Sequence, residues 1–114
     1  MKAGKVWGST EKVFDNGAVS IHRITIKKGA KCSKHKHKHK FNMFYVEQGF
    51  LKIHVWKNDY ELIDTTKLQA YQRMSVAPGE FHKFEATSDV IAYEIYYTEK
   101  DEGDIIREGV GSVE

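Results

Sequence analysis

Residues 29–49 read GAKCSKHKHKHKFNMFYVEQG, and both the fold and the chemistry of the chain turn on how this stretch is laid out. His35, His37 and His39 recur at every second position, with Lys34, Lys36, Lys38 and Lys40 between them. Alternate side chains of an extended strand point to opposite faces. A strand here carries three imidazoles on one side and four ammonium groups on the other. The imidazole row is a candidate metal site, and the lysine row a solvated outer surface.

The segments on either side follow the same period of two. Asn42, Phe44 and Val46 share one face, Gln48-Gly49 turns, and Leu51, Ile53 and Val55 share a face of the run 50–56. Upstream, residues 18–27 (AVSIHRITIK) are rich in β-branched side chains and lie between the turn signals Asn16-Gly17 and Lys28-Gly29. Residues 5–15 suggest a short strand or arm around Gly8-Ser9. Downstream, Asn58-Asp59 marks a turn, residues 60–70 read as a short strand plus loop, and residues 73–76 lead into Pro78-Gly79, which delivers His82. Residues 90–98 (VIAYEIYYT) are the most β-prone run, and the last fifteen have no strong period. No stretch sustains a 3.6-residue apolar repeat. Roughly seven to nine short strands between turn signals predict an all-β fold, a barrel or sandwich.

The 114 residues are expected to form a single domain, 1–114, without repeats or a linker. Hydrophobic residues make up 40% and charged residues 30%, a globular balance. The net charge of +2 is unevenly spread: residues 27–40 hold seven lysines and no acid, while residues 99–114 are acidic. Few arginines and aromatics interleave with those lysines, so no nucleic-acid partner is expected. No apolar run approaches the roughly 18–20 residues of a membrane helix. The first residues lack a secretory apolar run, which points to a cytoplasmic protein with no membrane partner. The lone Cys32 excludes an internal disulfide and reads as a small strand residue.

Two histidines at i and i+2 on a strand, with a third from a hairpin, suit a tetrahedral or octahedral divalent ion. His22 and His54 read as ordinary strand histidines.

A resemblance sharpens this. Gly29, five residues, His35-Lys36-His37, four residues, Asn42, six residues, Gly49 resembles the first cupin motif with its acidic ligand replaced by Asn42. Ala77-Pro78-Gly79-Glu80-Phe81-His82 resembles the second, although Tyr71, Ala77 and Ala86 stand where glycine, proline and asparagine are usual. More narrowly, Val6-Trp7-Gly8, Arg23 to Gly29, Tyr93-Glu94-Ile95 and Gly103 to Glu108 look like the cupin domain of type II mannose-6-phosphate isomerases. The resemblance implies a small single-domain cupin of the cupin_2 type, an antiparallel β-barrel also described as a double-stranded β-helix or jelly roll.

It also implies the site. His35, His37 and His82 would hold a divalent transition metal (Zn, Ni, Fe or Mn), with Asn42 at the family's glutamate position and His39 as an alternative ligand. An amide oxygen carries no charge and binds transition metals more weakly than a carboxylate. Glu94 would be the catalytic base, Tyr96 and Phe44 substrate contacts, and Arg107 and lysines phosphate contacts. The implied function is a metal-dependent isomerase or epimerase of a sugar or sugar phosphate. The alternatives are a non-catalytic cupin that binds a small molecule or metal or forms a structural dimer, and, third, an iron-dependent oxygenase. A homodimer is expected by analogy, with Trp7, Tyr93, Tyr96 and Tyr97 available for its seam.

Overall fold

Among the described residues, the alternation of apolar and polar residues resolves into nine strands. The computed structural model describes residues 2–57, 62–98 and 109–113. The strands are β1 (Lys2–Lys5), β2 (Gly8–Asp15), β3 (Ser20–Ile26), β4 (Phe41–Gln48), β5 (Leu51–Trp56), β6 (Ile63–Leu68), β7 (Arg73–Val76), β8 (Phe81–Ala86) and β9 (Val90–Tyr97). No helix occurs among the described residues. The expected turn at Asn58-Asp59 and the isomerase-like segment 103–108 with Arg107 lie outside them.

Two antiparallel sheets form. One has six strands in the order β1-β2-β3-β9-β4-β7, the other three in the order β6-β5-β8. Each central strand buries every second side chain, as a half-covered sheet requires. Ile24 and Ile26 of β3, Phe44 and Val46 of β4, Leu51, Ile53 and Val55 of β5, Phe84 and Ala86 of β8, and Val90 and Ala92 of β9 all turn into one cluster. Asn42, His82 and Glu94 continue the same buried faces on β4, β8 and β9.

This is a jelly-roll arrangement whose two sheets stack without closing into the expected continuous barrel. A second correction concerns the histidine stretch. Residues 31–40 form no regular strand; they make isolated bridges at Lys31–Glu85 and His35–His82. The segment runs along the free edge of β8: the His35 N–H donates to the His82 carbonyl at 3.0 Å, and the His82 N–H returns to His35 at 2.8 Å. Further on, Gly79 N–H donates to the His37 carbonyl at 2.8 Å, so the chain bends with the Pro78-Gly79 turn rather than continuing a ladder. The expected arm at residues 5–15 is a hairpin of β1 and β2, tied down where Lys27 N–H donates to the Trp7 carbonyl at 3.1 Å.

Candidate metal centre

His35 and His82 face each other across their bridge, and His37 follows one bend later. The ligating atoms of all three lie within 4.8 Å of one another, so the group can hold a metal ion. Their ring centroids stand 4.5 Å (His35–His82), 5.2 Å (His35–His37) and 5.4 Å (His37–His82) apart.

The hydrogen bonds around the rings suit that role. His35 Nδ1 lies 2.8 Å from the Ser33 carbonyl, and His82 Nδ1 lies 3.0 Å from the Glu80 carbonyl. A carbonyl only accepts, so each Nδ1 carries the proton and each Nε2 keeps its lone pair. Ligating histidines use the same device, a backbone carbonyl fixing the tautomer from behind. His37 Nε2 is buried with no hydrogen-bond partner. His82 Nε2 sits 3.1 Å from Asn42 Oδ1, whose amide nitrogen faces the Met43 carbonyl at 3.4 Å. With Oδ1 turned to His82, both atoms offer lone pairs to a cation held by the triad. Burial pushes the His82 imidazole down to about 4, with His35 and His37 adding to the effect. Burial and His35 lower His37 as well. Both rings are therefore neutral near pH 7, the form that binds a metal. The donor set fits a divalent transition metal.

His39 is exposed and stands outside the group. Asn42 is fully buried beside His82. Phe44 is also fully buried, edge-on to the His82 and Phe84 rings at 6.2 Å, and belongs to the core rather than to a ligand surface.

A cavity of about 760 Å³ opens beside the triad, within the range of small-molecule sites. His22, His35, Glu94 and Tyr96 line it together with Trp7 and Phe84. Glu94 is 7% exposed, and burial raises its carboxyl above the ordinary value, partly offset by Tyr96. The Tyr96 hydroxyl donates to Glu94 Oε2 at 2.6 Å. Burial and the neighbouring Glu94 raise the Tyr96 phenol, so it stays a donor. Lys5 and Lys31 stand exposed at the rim.

Three lining residues escaped the sequence reading. His22 shares its parity with Ile24 and Ile26, which was the available signal for an inward side chain; it pairs with Glu94 across β3 and β9, and its ring meets Tyr96 at 5.4 Å. Trp7 packs edge-on against Phe84 at 5.0 Å instead of covering a surface. Cys32 reaches the cavity because its segment is not a regular strand. Its sulfur accepts from the Phe84 N–H at 3.2 Å, and burial pushes the thiol up to about 11, which makes it a poor nucleophile at neutral pH.

An all-β jelly roll with a histidine triad beside an inner cavity defines the class of protein. No family model and no curated protein sequence matches the chain. Solved structures do. KdgF from Halomonas sp. aligns with a TM-score of 0.72 at 14% identity, covering 87% of this chain and 86% of that one. A cupin-2 domain containing protein from Shewanella frigidimarina gives 0.62 at 19% identity over 75% and 76%. CapF, a capsular polysaccharide assembling protein from Staphylococcus aureus, gives 0.78 at 16% identity over 91% of this chain and 30% of CapF. At these identities the likeness establishes the fold, that of a small cupin.

Proposed function

We propose that the chain is a single-domain, metal-dependent cupin enzyme that moves a proton between neighbouring carbons of a sugar or sugar phosphate, an isomerase or epimerase. One observation carries this reading: His35 of the triad and the buried Glu94 line the same cavity. His35, His37 and His82 would hold the ion, with the Asn42 amide oxygen beside His82. The bound metal would supply Lewis-acid polarisation of a substrate carbonyl.

The remaining work falls to the chain's own side chains. Glu94 is the proton acceptor; its raised carboxyl makes it a stronger base than a solvated glutamate. Tyr96 holds Glu94 Oε2 and so orients the carboxylate. His22, the cross-strand neighbour of Glu94, lines the same cavity and would exchange a proton with a substrate hydroxyl. Trp7 and Phe84 offer ring surface to the body of the substrate, and Lys5 and Lys31 offer charge to a phosphate at the rim.

The test begins with tag-free protein. About one transition metal per chain is expected, lost in His35→Ala and His82→Ala. Sugars and sugar phosphates incubated with the metal-loaded protein in heavy water should then exchange one carbon-bound proton, read by NMR. Glu94→Gln should keep its metal and slow exchange by about 10²–10⁴-fold. Absence of metal in the wild type sinks the site. Metal without exchange on any sugar leaves the second reading, a non-catalytic binding cupin, which the uncharged Asn42 at the acidic ligand position favours.

A further inference from the structure

The lysines between the histidines are not simply solvated; they lie over aromatic rings. Lys34 Nζ is 4.3 Å from the Trp56 ring centroid and 5.2 Å from that of Phe81, and Lys36 Nζ is 4.7 Å from Phe81. Lys83 Nζ approaches Trp56 at 5.9 Å. Trp56 and Phe81 are directly paired residues of β5 and β8, brought side by side by the register of the three-stranded sheet. The aromatic interleaving missing along residues 27–40 is thus supplied by the fold.

The face points away from the core. Leu51, Ile53 and Val55 of β5 turn inward, so Lys52, His54 and Trp56 turn outward. On the flanking strands, Lys67 pairs with Lys52, and Lys83 pairs with His54. Among the described residues, five lysines therefore share this surface with one carboxylate, Glu85, which lies 3.5 Å from His54. Among the described residues none of the five forms an ion pair. Phe81 is 41% exposed.

We propose that this outer face binds single-stranded nucleic acid, with phosphates on the lysines and bases stacked on Trp56 and Phe81. An ammonium over a ring face marks a place where a flat π-system also fits, and a lysine stem is long enough to swing from ring to phosphate. A single strand is the polyanion whose aromatic faces are free to replace the cation; a duplex keeps its bases stacked on each other. The surface lies on the opposite side of the sheet from the triad and is independent of its chemistry.

Fluorescence anisotropy with labelled 15-nucleotide oligouridine and oligothymidine tests this. Binding is expected at 50 mM salt and should weaken about 20- to 50-fold at 200 mM, the dependence of three to four phosphates on a single strand. Trp56→Ala should weaken binding about tenfold, on the order of one stacked base, and Trp56→Phe should restore most of it. Lys34→Gln with Lys36→Gln should lower the log–log salt slope by about 1.4. Circular dichroism and metal content should be unchanged in each variant. Absence of binding at 50 mM salt overturns the proposal. So does equal affinity for a duplex of the same length, indifference to the Trp56 and lysine variants, or binding to phosphatidylserine vesicles with none to either oligonucleotide.

Discussion

His82 shows what a single buried residue does to both stability and chemistry. It is 1% exposed, its folded-state value is pushed from 6.5 to about 4, and burial is the main cause. The unfolded chain takes up a proton on this ring below pH 6.5, whereas the folded chain resists until about 4. The stability tied to the neutral ring is therefore complete above pH 6.5 and is lost as the pH falls toward 4. A shift of that size corresponds to on the order of 3 kcal/mol. His37, lowered for the same reason, acts in the same direction. Glu94 acts in the opposite one: its raised carboxyl contributes most at low pH and loses that contribution as the pH rises past the ordinary 4.5. Comparing His82→Gln with the wild type isolates the imidazole. In chelator-treated protein, urea unfolding between pH 7 and 4.5 should show a steeper loss in the wild type than in the variant. Equal slopes would mean that His82 is not held neutral by the fold.

At the scale of elements, the turn from β6 to β7 keeps a backbone shape that its residue does not favour. Tyr71 has φ of 72°, in the left-handed region, while its side chain is 78% exposed and its N–H donates to the Val46 carbonyl at 2.7 Å. The cupin resemblance places the opening glycine of the second motif at this position, and the left-handed backbone found here is the kind glycine favours. Such a conformation costs a non-glycine residue about 1–3 kcal/mol, of which glycine returns roughly 0.5–1 through its freer unfolded chain. Tyr71→Gly should therefore stabilise the protein by about 1 kcal/mol in chemical denaturation, and Tyr71→Ala should not; a glycine variant less stable than the wild type refutes the strain. Elements were legible where one face is buried: β3, β4, β5, β8 and β9 alternate because the core selects every second side chain. The 31–40 segment alternates equally well in sequence, yet forms only bridges. Its pattern came from lysine and histidine, and no apolar face drives it into a ladder. Depth along a strand was equally invisible. Asn42 and Phe44 share a face, but Asn42 meets the triad while Phe44, two residues further, is sealed in the core. His22 was readable from its parity with Ile24 and Ile26, whereas the cupin motifs point to other histidines.

At the scale of the molecule, the six-stranded sheet has, among the described residues, a core on one face only. Its outer face carries a row in which Ile21 pairs with Ile95 and Ile95 with Met43, and a second row joining Tyr93 to Tyr45. At its margin Phe41 stacks on Tyr97 at 5.2 Å. These side chains remain partly accessible in the isolated chain, with Arg23 and Arg73 flanking the tyrosine row, and partly exposed apolar rows of this kind mark an interaction surface. Tyr93 and Tyr97, two of the residues expected at a dimer seam, lie on this face, whereas Trp7 and Tyr96 line the cavity. We predict that two copies pair through this face, burying about 800 Å² on each, the size a stable interface needs. Light scattering should return the mass of two chains for the wild type and of one chain for Met43→Lys with Ile95→Lys. Neither substitution touches the triad, so metal content should not change. A one-chain mass for the wild type at about 100 μM, well above a micromolar Kd, would rule the pairing out. A variant that stays dimeric would move the interface elsewhere, to the exposed edge strands β1 or β7 that end the same sheet.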